Sequence, residues 1–503
     1  MVKSYLPIIA VFLPVLSVFF LPLAEKVKKT EIVKAQRIGE IFTALICGLS
    51  FVAVLLMYPL IRTGNLINSG VWDPGLGISF SLQVDSLGYI FGLITAFLWL
   101  LASVYSIEYM HKEHSRTRYN IFSLLSLTGM LGTVFSGSLL GLYIFFEFLT
   151  IAAYVLVIHE ESVEAINAGT IYLFMGIAGG LVLLVSVIAT YSIVPTGDLS
   201  LRGLGLDKHP LLPYLFWGYI IGFGVKAGMF PLHVWLPKAH PIAPSQASAL
   251  LSGILIKAGA YGIFRTIYNL VGIEYFSQNT VMLKSLFILG LITIFLGSAV
   301  AIAQTEIKKL LAYSSISQMG YIILGATLLS PLSLIGGTMH VFNHAIIKGC
   351  LFLCAGSFIH QTGLRQLDEL KGIGYRMPLT TICFTIVALS IIGFPPFNGF
   401  LTKWYLALGS LEAGKMGVYG STMSIVALSM LFLSSVMNLI YYGPIIYNAW
   451  FVRRPEVNMS NADPNMFMLI PLILLASSAI FFGIYPRLPL NLIREFVATF
   501  FGR

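Results

Sequence analysis

Seven ionisable residues lie inside the long apolar runs of this 503-residue sequence, and their side chains can carry protons. They are Glu147, Lys226, Lys257, His340, His344, Lys348 and Lys403. A charge at the centre of a membrane costs about 2.5–3.5 kcal/mol on insertion scales, so these residues should face one another or a hydrated interior. A nearby carboxylate keeps a lysine charged, whereas loss of water favours its neutral form. A lysine held between these effects can release and regain a proton, and the series is predicted to act as a proton or ion relay.

The positions of these residues support a shared role. His340, His344 and Lys348 recur every four residues and therefore share one helix face. Glu147 lies near the centre of the fifth apolar run, and Lys226 lies five residues before Pro231. Any single member could be a snorkelling or helix-pairing residue, but a set spread over five runs favours a connected path.

Two weaker polar signals accompany the series. His233, Lys238 and His240 lie in one proline-rich segment that is predicted to form a cytoplasmic mouth. They would either admit protons or serve as ordinary solvated loop residues, and both interpretations stay open. Asp85 is more typical of a helix N-cap than of a site.

The composition identifies the elements that position these residues. Of all residues, 57% are hydrophobic and only 10% are charged, and the mean hydropathy is +0.88. A soluble domain carries about a quarter charged residues, so this chain would lack polar groups to cover its surface. The apolar runs have about twenty residues, the length of a membrane-spanning helix, without the alternation of a barrel. The fold class is predicted to be an all-α polytopic membrane protein.

The same composition excludes several functions. The net charge of +9 comes from basic residues scattered among short loops, which fits membrane topology better than nucleic-acid binding. No phosphate-binding glycine loop is present, so ATP is not expected as the energy source. The four cysteines form no CxxC cluster, and we assign neither a metal nor a cofactor. They are Cys47, Cys350, Cys354 and Cys383.

Hydropathy predicts about fourteen spans, all in one membrane domain. Their approximate centres are Val11, Leu49, Ile94, Ser126, Ile151, Gly179, Tyr219, Ile256, Leu291, Leu324, Phe352, Val387, Leu431 and Leu474. Odd-numbered connections carry most of the basic residues, which predicts a cytoplasmic location for them and external termini in the cell membrane. These residues are Lys26, Lys28, Lys29, Lys34, Arg37, Lys112, Arg116, Arg118, Lys238, Lys308, Lys309, Arg365, Lys371, Arg376, Arg453 and Arg454. The even-numbered connections contain mainly Arg62, Arg202, Lys208, Lys284 and Lys415.

Two spans contain proline at mid-membrane depth, in Gly228-Met-Phe-Pro231 and Gly393-Phe-Pro-Pro396. Proline removes a backbone donor, so each helix should break there. Paired broken helices five spans apart indicate an inverted-repeat transporter. We therefore expect three initial helices in 1–115, a first repeat in 116–272, a second repeat in 273–452, and a last helix with an external tail in 453–503.

Five segments, together with Glu147, resemble a known family in sequence and in order. They are Lys226-Ala-Gly-Met-Phe-Pro-Leu-His-Val-Trp-Leu-Pro-Lys-Ala-His240, the stretch from Ala243-Pro to Ser248-Ala-Leu-Leu-Ser252, Leu310-Leu-Ala-Tyr-Ser-Ser-Ile-Ser317, His340-Val-Phe-Asn-His344 with Lys348-Gly-Cys-Leu-Phe-Leu, and Gly393-Phe-Pro-Pro-Phe-Asn-Gly-Phe-Leu-Thr-Lys403-Trp. The chain resembles the antiporter-like subunits shared by respiratory complex I, Mrp-type sodium/proton antiporters, membrane-bound group 4 hydrogenases and related archaeal complexes.

The resemblance implies fourteen helices with two inverted five-helix repeats, and it implies a role for each relay residue. Glu147 and Lys226 would be the interacting pair, Lys257 and His344 connecting groups, and Lys403 the outer exchange residue. In some family members the last position is glutamate, so Lys403 does not select one branch.

The leading hypothesis is a proton- or sodium-translocating subunit of a redox-driven membrane complex, itself without redox chemistry. Its partners would be other antiporter-like and small membrane subunits, together with hydrogenase-type or quinone-reductase-type redox subunits. Three alternatives remain: a component of a stand-alone sodium/proton antiporter, a structural membrane anchor, and a quinone-binding catalytic subunit. An anchor needs no charges over five spans, and a quinone enzyme should carry a site for a redox partner.

Overall fold

The chain is helical almost throughout in a computed structural model that describes residues 1–22, 32–72, 80–194, 198–199, 206, 209–416, 420–452 and 462–502. Only the backbone is described for residues 32–36 and 72. The helices are α1 Leu6–Ser17, α2 Ile32–Leu55, α3 Tyr58–Ile61, α4 Ser86–Tyr109, α5 Arg116–Phe135, α6 Leu139–Val157, α7 Val163–Ile193, α8 Leu212–Ala227, α9 Leu236–Ile242, α10 Ser245–Val271, α11 Ile273–Gln278, α12 Val281–Ile302, α13 Ile307–Thr327, α14 Pro331–Thr362, α15 Ile373–Arg376, α16 Pro378–Ile392, α17 Asn398–Lys415, α18 Gly420–Phe451, α19 Met466–Ile484 and α20 Arg487–Phe501. Short 3-10 turns occur at Met110–Lys112 and Leu367–Leu370.

The chain is a polytopic α-helical membrane protein, as the hydropathy predicts. Each of the fourteen predicted span centres falls within a helix. In the described part of the chain, nine helices are long and apolar enough to cross a membrane. Of the basic residues used for orientation, several lie outside the described residues, and Lys34 is described by its backbone alone. Those outside are Lys26, Lys28, Lys29, Arg202, Lys208, Arg453 and Arg454.

The two predicted helix breaks are present. Helix α8 ends at Gly228 with φ +68°, and the chain becomes helical again at α9. Helix α16 ends at Gly393 with φ +105°, and α17 follows. Residues with a Cβ rarely adopt positive φ, so glycine permits each reversal before the proline. The interrupted seventh and twelfth spans belong to two inverted five-helix repeats, and the predicted fold class is confirmed.

The centre of the bundle is formed by α10 and α14. The most apolar window of α10 is 100% buried and that of α14 is 94% buried, whereas the corresponding windows of α7 and α18 are only 33% buried. Helices α7 and α18 therefore form part of the outer surface. Any side chain on the inward faces of α10 and α14 is shielded from lipid, so polar groups placed there must find protein or water partners.

Two elements were not anticipated from the sequence. A small sheet joins β1 (Val2–Lys3), β2 (Ile67–Trp72) and β3 (Phe80–Val84), with β1 parallel and β3 antiparallel to β2. These strands are too short to show a clear period of two. The predicted tail after the last span contains α20, which is amphipathic and packs against α4 and α14.

Candidate functional site

Lys226 lies in the last turn of α8, just before the break at Gly228, and is 3% exposed. Its Nζ donates hydrogen bonds to Thr150 Oγ1 at 2.8 Å and to Tyr172 OH at 2.9 Å. The same Nζ lies 5.0 Å from the centroid of the Tyr172 ring and 5.6 Å from that of Phe146. The ammonium group is thus held by neutral hydroxyls and aromatic faces that belong to helices α6 and α7.

Glu147 lies on α6 one turn before Thr150, beside Gly180 of α7. Its side chain is close enough to Lys226 for an electrostatic interaction. Both side chains are described by the structure, and no hydrogen bond or ion pair joins them directly. The buried Glu147 Oε1 has no hydrogen-bond partner in the described protein. The two groups are therefore electrostatic neighbours without a direct hydrogen bond.

Lys257 lies at the centre of the bundle, on α10. Its Nζ lies 2.6 Å from His344 Nδ1 on α14 and donates a hydrogen bond to the Ser252 carbonyl at 2.6 Å. A π-helical turn, Leu251–Leu255, directly precedes this part of α10. Such turns occur frequently at functional sites because they reposition backbone carbonyls. This turn places an acceptor within reach of the lysine.

From His344 the polar groups continue along α14 to Lys403. The rings of His340 and His344 stack with centroids 5.5 Å apart, and Tyr321 stacks on His340 at 5.3 Å. Lys403 Nζ lies 5.6 Å from the Tyr321 ring centroid. It also donates to the Ile392 carbonyl at 2.7 Å and to Ser435 Oγ at 2.8 Å.

Several nitrogens and oxygens along this route have no hydrogen-bond partner among the described residues. They include both ring nitrogens of His340, Nε2 of His344 and the hydroxyl of Tyr321. The Tyr321 hydroxyl lies near Ser434, Ser435 and Asn438 without a hydrogen bond of normal geometry to any of them. Buried polar groups are usually satisfied by protein or ordered water. The geometry is therefore that of a route in which water would complete the contacts.

Lys348 shares the α14 face but points to a different set of partners. Its Nζ donates to the Leu311 carbonyl at 3.0 Å and to Tyr442 OH at 3.2 Å. Tyr442 in turn contacts the Ser314 hydroxyl at 3.0 Å. Lys348 therefore lies on a side branch directed toward α13 and α18. We use "polar line" for Glu147, Lys226, Lys257, His344, His340 and Lys403.

The three residues predicted at a cytoplasmic mouth do not share one environment. Lys238 is exposed and His233 is partly exposed. His240 is 0% exposed, its ring lies 4.8 Å from the Phe352 ring, and neither ring nitrogen has a hydrogen-bond partner. The structure therefore places the three in different environments, with His240 in the interior.

Some site residues were missed by sequence reasoning. Thr150 could have been found, because it lies three residues after Glu147 on the same helix face. Tyr172, Tyr321 and Ser435 carry no local signal, since each reaches its lysine from another helix. Asp85 does cap α4, accepting from Gly88 N at 2.8 Å. It also forms a bidentate ion pair with Arg265, with both N···O distances 2.7 Å.

The fold and the polar line define the class: a helical membrane protein with a buried series of protonatable groups across two inverted repeats. Residues 136–431 match the family described as "NADH:quinone oxidoreductase/Mrp antiporter, TM". Residues 73–120 match "NADH-Ubiquinone oxidoreductase (complex I), chain 5 N-terminus". The chain belongs to this NADH:quinone oxidoreductase/Mrp antiporter family.

Individual relatives agree with this assignment. The chain is 32% identical over 503 residues to NADH-quinone oxidoreductase subunit N of Desulforudis audaxviator (strain MP104C), covering 96% of both chains. It is 33% identical over 342 residues to Hydrogenase-4 component B of Escherichia coli (strain K12), covering 65% of this chain and 50% of that protein. A solved structure of the Mrp complex from Dietzia sp. DQ12-45-1b shares the fold, with a TM-score of 0.84, 21% identity, and coverage of 99% of this chain and 97% of that chain.

Proposed function

We propose that this chain translocates protons across the membrane as one subunit of a larger complex. The observation that carries the proposal is the Lys257–His344 contact, which joins a proton donor to an acceptor in the most buried part of the bundle. Glu147 and Lys226 extend the polar line on one side, and Lys403 extends it on the other. Proton transfer along such groups needs donors and acceptors linked directly or by water.

The chemistry of the polar line favours protons over sodium ions. Its members are mainly lysine and histidine, whose nitrogens bind and release protons. Hard cations are instead bound by oxygen ligands. Glu147 offers one carboxylate. The hydroxyls of Thr150 and Tyr172 already accept hydrogen bonds from Lys226. A sodium ion at this position would have to displace the ammonium group.

The energy for translocation would come from partner subunits. Relatives are named as a subunit of an NADH-quinone oxidoreductase and as a component of hydrogenase-4. We assign no redox cofactor to this chain, and we propose that redox subunits of the same complex drive it. Glu147 is only partly buried. Its position on the outer helix pair α6–α7 would let a neighbouring antiporter-like subunit approach it.

The proposed topology follows the distribution of basic residues. Both termini would face the external side of the cell membrane, and the odd connections would face the cytoplasm. Residues 116–272 and 273–452 would form the two repeats, after three helices in 1–115 and before the last segment, 453–503.

A second candidate is a component of an Mrp-type antiporter, which exchanges sodium ions for protons without redox input. The family description itself includes Mrp antiporters. The same polar line would then carry only the proton arm of the exchange, and the sodium site would require oxygen ligands elsewhere in the complex.

The test is proton uptake by vesicles that contain the purified complex, followed with a pH-sensitive dye. Lys257→Ala and Lys226→Ala should abolish pumping while subunit content stays unchanged, because the fold rests on apolar packing. Lys309→Ala, at an exposed lysine, is the matched control and should pump normally. If both buried-lysine variants assemble and pump at wild-type rates, the proposal is wrong. Robust sodium-dependent exchange without a redox substrate would instead support the second candidate.

A further inference from the structure

Two short connections at one end of the bundle bring together two histidines and a glutamate. Glu113 and His114 lie between α4 and α5, and His159 lies between α6 and α7. One potential ligand atom from each of the three side chains lies within 4.8 Å of the other two. No residue of the polar line belongs to this cluster, and the connections are on the side proposed to be cytoplasmic.

His159 provides an independent sign that something binds here. It is 0% exposed, yet neither ring nitrogen has a hydrogen-bond partner of normal geometry. Its ring stacks on His114 with centroids 5.2 Å apart and meets the edge of Tyr119 at 5.6 Å. A buried imidazole normally has its nitrogens satisfied, because an unmade hydrogen bond costs about 1–3 kcal/mol. A ligand at this position would satisfy one of them.

Charged side chains of both signs surround the cluster and hold its backbone in place. Arg118 Nη2 donates to the His159 carbonyl at 2.7 Å, and Arg118 also pairs with Glu161. The Glu161 carboxylate lies 4.0 Å from His114 Nε2.

We propose that Glu113, His114 and His159 bind one divalent transition-metal ion of the Zn²⁺ class. Two imidazoles and a carboxylate are a common three-ligand set for zinc, with a fourth position for water or another carboxylate. Tetrahedral zinc ligands lie about 3.4 Å apart, given Zn–N bonds of about 2.0–2.1 Å. The three side chains would need to close by at most about 1.4 Å from their present separation. The His114 side chain is half-exposed.

A bound ion would link the α4–α5 connection to the α6–α7 connection. Helix α6 carries Glu147, and α7 carries Tyr172, so the ion would tie together the ends of the helices that hold one end of the polar line. This site does not depend on the proposed proton translocation, since its residues and its chemistry are separate. Sequence analysis could not find it because 45 positions separate His114 from His159.

The test is Zn²⁺ binding by the full-length chain, purified in detergent with any polyhistidine tag removed. Metal content after dialysis gives the stoichiometry, and competition with a chromophoric chelator gives the affinity. The wild-type chain should bind one Zn²⁺. His114→Ala and Glu113→Gln should each weaken binding at least about tenfold, since even outer-shell substitutions at metal sites cost 10- to 100-fold.

Two further variants make the test specific. His114→Cys should retain binding, because thiolate is a zinc ligand. His209→Ala is the matched control, at a partly exposed histidine outside both connections, and should bind as the wild-type chain does. His114 is half-exposed, so its variants keep the bundle packing even if His159→Ala does not fold. A wild-type chain that binds no stoichiometric Zn²⁺, or a His114→Ala variant with wild-type affinity, overturns the proposal.

Discussion

Lys257 Nζ and His344 Nδ1 lie 2.6 Å apart, across the two most buried helices of the bundle. A hydrogen bond between two nitrogens needs one proton donor and one acceptor, so His344 Nδ1 must be unprotonated when Lys257 donates. Moving that proton to His344 reverses the roles of the two groups. In the proposed relay, a proton would pass between helices at this contact, and both neighbours along α14 are protonatable.

His344→Gln is expected to slow proton pumping by at least about tenfold, since a general base or acid in the reacting position contributes about a hundredfold or more. Glutamine can accept a hydrogen bond from Lys257 but cannot take its proton. Dye-monitored uptake in vesicles measures the effect. His209→Gln should leave the rate unchanged, and equal rates for the two variants would exclude His344 from the relay.

The partners of Lys226 are tested by removing hydroxyls without removing charge. The double variant Thr150→Val, Tyr172→Phe deletes both hydrogen bonds of the ammonium group and keeps the Tyr172 ring. Hydrogen bonds to charged groups contribute about 1.5–3 kcal/mol each, so thermal stability and pumping should both fall. Tyr447→Phe, at an exposed tyrosine of α18, is the control. Unchanged pumping by the double variant would show that these hydroxyls do not control Lys226.

Gly180→Ala should impair pumping because it displaces the Glu147 side chain. A Cβ at this position would overlap the Glu147 carboxylate and push it away from Lys226. Alanine favours a helix by about 1 kcal/mol over glycine, so the variant should fold. Gly48→Ala is the matched control, since its nearest atom would be Leu100 Cδ1 at 3.6 Å. Assembly that is normal in both variants and pumping that is reduced only in Gly180→Ala is the expected result; normal pumping in both would contradict it.

Asp85→Asn should destabilise the chain by about 3 kcal/mol, the lower end of the range for breaking a buried ion pair. Arg265 is 5% exposed and would lose its partner, whereas Asp85 is itself a third exposed. The Asp368→Asn control removes the exposed partner of Lys371 and should change thermal stability by under about 1 kcal/mol. Equal melting temperatures for the two variants would contradict the expectation.

The same pair predicts a pH dependence of stability. Burial alone would raise the pKa of Asp85, but the charge and hydrogen bonds of Arg265 outweigh it and hold the pKa below its usual value. The stabilisation is therefore complete above the unfolded pKa of about 3.9 and is lost as pH falls through the folded value. The melting temperature of the wild-type chain should therefore fall when the pH is lowered below about 4. Asp85→Asn should lack this part of the drop.

The sequence predicted the spans, the two helix breaks and the family. These features are local: apolar runs of about twenty residues identify membrane helices, and glycine followed by proline interrupts them. The identity of the buried charges was equally readable, because charge within an apolar run is rare and costly. The β-sheet and α20 were not predicted, because short strands and amphipathic tails leave weak patterns in the sequence.

Only the tertiary structure decided which groups meet. Lys226 bonds to hydroxyls rather than to Glu147, Lys348 turns toward Tyr442, and His240 is fully buried while Lys238 is exposed. Glu113 and His159 come together from separate connections. The physical reason is that spacing along one helix fixes which side chains share its face, whereas the partner across the interface depends on how helices pack, and no local pattern encodes that packing.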